Sequence, residues 1–117
     1  MMALSRGDVV LVNFSPAKGG KVEDNDKGKL RPAIVLSESD DNEILDTVIV
    51  IPLSTRIEAD ALPYRYLIQK RDKLQKDCDA CIYEIKALSK TRIKEKLSVL
   101  TDEELTIIQD SLCQIIK

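Results

Sequence analysis

Thr47-Val48-Ile49-Val50-Ile51-Pro52-Leu53-Ser54-Thr55 is the stretch that decides how this chain folds. Its first five residues are all β-branched, and such side chains pack well on a pleated surface while losing freedom in a helix. They predict a strand, with Pro52 ending its regular pairing because proline has no N–H for a ladder. Leu53-Ser54-Thr55-Arg56-Ile57 continues with polar groups on alternating positions.

Working outward toward the N-terminus, Arg31-Pro32 opens a second strand over residues 33–36, and residues 37–43 (Ser-Glu-Ser-Asp-Asp-Asn-Glu) read as a turn. Further back, the turn Arg6-Gly7-Asp8 leads into Val9-Val10-Leu11-Val12-Asn13-Phe14, whose apolar residues fall on both parities. That strand is expected to be buried on both faces. Residues 15–30 are polar and glycine-bearing, a connection long enough to be a working loop.

Toward the C-terminus, residues 64–68 (Tyr-Arg-Tyr-Leu-Ile) predict another strand, and residues 69–79 a charged surface connection. Residues 81–86 read as extended, with Ile82, Glu84 and Lys86 on one side. Ser89 is placed to cap a short helical turn, and residues 97–100 predict a last short strand. Thr101-Asp102-Glu103-Glu104 is a capping box, followed by Leu105, Ile108, Leu112, Ile115 and Ile116 as one apolar stripe at helical spacing. Many short strands and one terminal helix predict a mainly β chain, a small barrel on which that helix packs.

Composition narrows the chemistry. The chain of 117 residues is the size of one domain, residues 1–117, and 44% hydrophobic residues are enough for a real core. With one Phe, three Tyr and no Trp, that core is aliphatic, and a broad aromatic stacking surface is not expected. Histidine is absent, which excludes Ser-His-Asp and Cys-His nucleophilic sites and every imidazole-dependent zinc site. Catalysis is left to Arg, Lys, carboxylates, hydroxyls, Tyr or Cys. The net charge of −2 (18 minus 20) is not that of a protein coating nucleic acid, though a local basic patch is compatible with it. Residues 1–8 hold no apolar core segment, and no apolar run approaches the roughly 20 residues that span a bilayer. Three cysteines do not make a disulfide framework, so a reducing cytoplasm without membrane attachment is the expected setting.

Three clusters were weighed for chemistry. Cys78-Asp79-Ala80-Cys81 has metal-ligand spacing, but only Cys113 is left to complete a set, so core or surface cysteines are expected. Cys113 itself is expected as a small packing residue of the terminal helix. Asp40-Asp41-Asn42-Glu43 lacks the central glycine and spacing of a calcium loop and reads as a solvated turn. Arg31, with Ser54 and Thr55, joins a planar fork of donors to two hydroxyls, a set suited to phosphate. Lys18, Lys21, Lys27, Lys29 and Arg56 would supply basic surroundings. The spacing leaves open an Arg31 paired with a carboxylate and hydroxyls that only shape a turn.

Taken in order, Arg6-Gly-Asp-Val-Val, Gly28-Lys-Leu-Arg31-Pro32-Ala-Ile-Val-Leu-Ser37, Val50-Ile-Pro-Leu-Ser54-Thr55, Ala61-Leu-Pro63-Tyr and Tyr83-Glu84-Ile85-Lys86-Ala87-Leu88-Ser89-Lys90 resemble the MazF/PemK family. Its members are ribonuclease toxins of bacterial toxin–antitoxin modules, and the similarity covers nearly the whole chain. The resemblance implies an SH3-like barrel with a short helix and a C-terminal α-helix, a homodimer sharing an RNA groove, and metal-free, cofactor-free cleavage of single-stranded RNA. It implies that Arg31 is the catalytic arginine and that Ser54 and Thr55 lie at the scissile phosphate.

On that scheme the ribose 2′-OH attacks its own phosphate. Arg31 stabilises the growing negative charge and the two hydroxyls donate to the non-bridging oxygens. Where family members carry an acid–glutamine pair, this chain has Tyr83-Glu84; Glu84 and, in the long loop, Glu23 are the candidate proton acceptors. Lys18, Lys21, Glu23, Lys29, Arg56 and Lys86 are the candidate RNA-binding residues. A small acidic antitoxin filling the groove is the expected protein partner. Two other readings share the resemblance: a non-catalytic toxin similar to the gyrase-binding CcdB proteins, and a member that keeps the fold without the chemistry.

Overall fold

The computed structural model describes residues 3–14, 30–58 and 61–116. Strands β1 (Asp8–Asn13), β2 (Leu30–Val35) and β3 (Thr47–Ser54) are joined through helix α1 (Ser39–Ile44); β4 (Arg65–Ile68), β5 (Cys78–Cys81), β6 (Lys86–Ser89) and β7 (Ile93–Val99) follow, and helix α2 (Asp102–Ile115) ends the order. All strand pairings are antiparallel, and the sheet runs β4-β5-β3-β2-β1-β7 with β6 also on β3. The architecture is mainly β with one long C-terminal helix, as expected. The expected barrel needs one correction: among the described residues β4 and β7 are unpaired ends, so the sheet is open and barrel-like only loosely.

Strand alternation divides the core in two. Val9, Ile34, Ile51 and Leu53 face α2, which lays Ile108 into them with Leu105, Leu112 and Ile115 alongside. Val10, Val12, Ala33, Val35, Val48 and Val50 form the opposite face, where Phe14, Leu88 and Ile93 pack. β1 is therefore buried on both faces, as its double parity predicts. The Thr101–Glu104 capping box is present and starts α2. Ile116 departs from the expected stripe, lying beyond the last helical residue and exposed.

Several local expectations are overturned. The β2–β3 ladder does end at Pro52, opposite Ala33, as expected, but β3 itself runs on to Ser54 against β5. Leu36 N–H donates to Ile49 O, so by antiparallel alternation the nitrogen of Pro52 faces away from β2. On that far edge β6 pairs residues 47–50 and β5 pairs residues 53–54, so Pro52 falls in the gap between partners. Residues 37–43 are not merely a turn. Buried Asn42 donates to Leu4 O and Ser37 O, each at 2.9 Å, and holds α1 in place with no apolar stripe to announce it.

β2 starts at Leu30 and β7 already at Ile93, both earlier than expected. Residues 78–79, assigned to a surface connection, belong to the wholly buried β5. Residues 82–84 form a 3-10 turn instead of continuing extended, with Ile82 buried beneath it. The Ser89-capped turn is present over Lys90–Arg92, where Ser89 Oγ accepts from Thr91 N–H. No helix among the described residues is long and apolar enough to cross a membrane.

Candidate active site

Arg31 is the second residue of β2, opposite Val12, and exposed. The β2–β3 ladder ends at the pair Ala33–Pro52; Arg31 lies two residues before Ala33 and Ser54 two residues after Pro52, so strand alternation sets both on that pair's face. The guanidinium makes no ion pair or hydrogen bond with any other described residue. A charged donor fork thus shares a face with a hydroxyl at the adjoining strand end. Ser54 is half-buried, and its Oγ accepts from Arg56 N–H at 3.1 Å, which leaves the hydroxyl proton free to donate.

Thr55 is exposed and lines a cavity of about 300 Å³ together with Leu11, Pro32, Lys73, Lys76 and Glu95. Pro32 alternates with Arg31 along β2, so this cavity, with Thr55, Lys73 and Lys76 at it, adjoins the face of β2 opposite to that of Arg31. The sequence reading missed these two lysines because they sit in a charged connection far along the chain, with no local pattern to mark them.

Glu84 ends the 3-10 turn, exposed, on the β3 edge opposite β2. Its nearest described influence is on Cys81. Burial pushes that thiol up, Arg65 opposes the rise, and the Glu84 carboxylate adds to it. Burial likewise raises Cys78. Both thiols are therefore neutral core groups, whereas Cys113 is exposed and not the packing residue expected. No cluster of three or more Cys, Asp or Glu that could hold a metal ion occurs among the described residues.

Lys86 pairs with Val50, on Arg31's face, and its ammonium lies 5.1 Å from the centre of the Phe14 ring. Such a cation over a ring face is held by the ring's quadrupole without losing its charge. Arg56 is almost fully exposed, with Glu58 at 4.0 Å. Lys18, Lys21, Glu23, Lys27 and Lys29 lie outside the described residues.

A second group went unnoticed in the sequence. Asp79, its side chain 2% exposed, accepts from Glu58 N–H at 2.8 Å and has Arg65 Nε 3.1 Å away. Arg65 Nη2 donates to Arg56 O at 2.9 Å, and Nη1 lies 3.6 Å from Glu58. Every contact reaches the segment that follows Ser54. The signal that could have found it is the acid at 79 within an otherwise small, apolar Cys-Asp-Ala-Cys run.

An exposed arginine and a half-buried hydroxyl share one face of an open antiparallel sheet backed by one helix, donors whose chemistry suits an anion. Residues 5–116 match the family of PemK-like, MazF-like toxins of type II toxin–antitoxin systems, and the chain belongs to that family. Endoribonuclease MazF of Staphylococcus saprophyticus is 32% identical over 110 residues, covering 93% of this chain and 88% of that protein. The fold is shared with a chain of a MazE–MazF crystal structure from Deinococcus radiodurans (TM-score 0.75, 17% identity, 99% of this chain and 97% of that one). It is also shared with Mycobacterium tuberculosis toxin MazF-mt6 (TM-score 0.72, 11% identity, 92% and 93%). A mycobacterial endoribonuclease in complex with its cognate antitoxin is similar as well (TM-score 0.68, 18% identity, 97% and 93%).

Proposed function

We propose that this chain is the toxin of a toxin–antitoxin pair and cleaves single-stranded RNA at particular short sequences, without a metal ion. The observation that carries the reading is Arg31 on the same face as Ser54 at adjoining strand ends, and free of any described counter-ion. In the reaction, the ribose 2′-oxygen bonds to phosphorus as the bond to the 5′-oxygen breaks. The Arg31 fork and the hydroxyls of Ser54 and Thr55 donate to oxygens that gain charge in the transition state, where preorganised donors act most strongly. Glu84 takes the 2′-OH proton, and the leaving 5′-oxygen takes a proton from solvent water. The products carry a 2′,3′-cyclic phosphate and a 5′-OH. Arg56 and Lys86 meet the RNA backbone, and the 2′-OH requirement itself separates RNA from DNA.

An antitoxin with an acidic segment would neutralise the toxin by offering carboxylates where phosphates bind, and relatives solved as toxin–antitoxin complexes support that partner. The active form is a homodimer in the cytoplasm; Ile44, Leu45 and Ile49, all exposed apolar residues around the α1–β3 connection, support a second copy covering this surface.

The test is incubation of purified protein with a long single-stranded RNA in EDTA, followed by analysis of fragment ends. Cyclic phosphate (or its 3′-phosphate product) and 5′-OH ends are expected. Intact RNA, whatever its sequence, refutes the reading.

A further inference from the structure

The segment 55–58 leaves the sheet directly after Ser54, the last residue of β3, where a loop would ordinarily satisfy its backbone with water. Here it is held by charge from two other strands. Asp79 of β5 accepts from Glu58 N–H at 2.8 Å, and Arg65 of β4 donates to Arg56 O at 2.9 Å. Between them, Arg56 N–H is bound to Ser54 Oγ at 3.1 Å. Arg65 Nε is 3.1 Å from Asp79 Oδ2, an ionic contact without hydrogen-bond alignment.

The Asp79 and Arg65 side chains are only 2% and 19% exposed. Removing such a pair from water is expensive, and well-packed apolar residues generally serve stability as well or better. An ion pair whose remaining contacts all go to one short segment is therefore poorly explained by stability alone. It fits a need for that segment to keep one geometry.

We propose that Asp79 and Arg65 are positioning residues: acting from β5 and β4, they clamp the segment 55–58, which carries the Thr55 hydroxyl, in one geometry beside Ser54 at the end of β3. The inference rests on the nuclease reading for its consequence, and on the hydrogen bonds alone for its mechanism. Misplacing a reacting group by about 1 Å can cost on the order of 100-fold in rate, which is the scale a loosened loop would reach.

Arg65→Gln removes the fork that spans Asp79 and Arg56, while Asp79→Asn keeps the shape and removes the charge. The experiment measures amide hydrogen exchange, kcat on a single-stranded RNA and RNA affinity for each full-length variant. Expected are at least tenfold faster exchange at Arg56 and Glu58 with β1 unchanged, kcat lower by 10- to 100-fold, and affinity within twofold of wild type. Arg65→Lys restores a buried cation without the fork, so thermal stability should recover while kcat does not. Recovery of both together, or unchanged exchange at Arg56 and Glu58, overturns the clamp. Should one variant fail to fold, the others decide the question. If the wild type cuts no RNA, the nuclease reading falls, and the exchange measurement still decides whether the clamp exists.

Discussion

Glu104 ties the start of α2 to the connection between β4 and β5, and its removal should show how much that tie contributes. Its carboxylate accepts from Arg71 Nη1 at 2.5 Å and Nη2 at 2.6 Å, and from Thr101 N–H at 2.9 Å. The two side chains are 21% and 15% exposed, between the surface regime, where ion pairs contribute about 0.2–1 kcal/mol, and the buried one, where breaking a pair costs about 3–5 kcal/mol. A coupling of about 1.5–2 kcal/mol is expected between them. Glu104→Ala also loses one side of the capping box, worth roughly another 1 kcal/mol. The total of about 3 kcal/mol should lower Tm by about 12 °C, at about 4 °C per kcal/mol for a chain of this size.

The hydrogen bond from Arg71, ahead of burial, holds the Glu104 carboxyl below its ordinary value. Its folded pKa is therefore depressed, so its contribution is complete above the unfolded carboxyl value of about 4.3 and is lost as pH falls through the folded one. Urea unfolding of wild type, Glu104→Gln, Arg71→Gln and the double variant would measure the coupling at pH 7. Repeating the series down to pH 3 should bring wild type toward Glu104→Gln. A coupling below about 0.5 kcal/mol at pH 7, or one that does not shrink on acidification, would refute the reasoning.

Other outcomes follow from the same structure. Arg31→Ala should slow RNA cleavage by about 2.7–4 kcal/mol in the barrier, or about 10²–10³-fold, with little change in Tm because the side chain is exposed; single-turnover kinetics would check it. If Glu84 takes the 2′-OH proton, Glu84→Gln should remove the acidic limb of the pH–rate profile, and an unchanged limb would assign the proton elsewhere. Ile108→Ala, at the fully buried contact of α2 with the sheet, should cost about 2–5 kcal/mol in chemical denaturation. Gly7→Ala should also destabilise, since Gly7 has φ of +96° and a new Cβ would lie 2.9 Å from Leu105 Cδ1; a Tm equal to wild type would contradict that clash.

Legibility followed the range of the interactions involved. The β-branched run at residues 47–51, the two-parity strand β1 and the Thr101–Glu104 box each declare themselves within a few residues, and each forms where expected. α1 was missed because buried Asn42 holds it, through bonds to Leu4 and Ser37, with no apolar period of its own. β5 was missed because it carries an acid between two cysteines inside a charged stretch, and its burial depends on β3 and β4 closing over both edges. Pro52 ends the β2 ladder without ending β3, because β5 takes up residues 53–54, and only the register shows that.

Sequence alone determined the aliphatic core, the mainly β character, the capped terminal helix, the absence of histidine chemistry and the family likeness. These depend on residue type and on spacings of a few positions. Tertiary structure alone decided that Arg31 and Ser54 share a face, that Thr55, Lys73 and Lys76 line one cavity, and that Asp79 and Arg65 hold the segment after Ser54. Those residues lie up to 48 positions apart in the chain. Only strand order and hydrogen-bond register bring them together, and neither is written in any local run of residues.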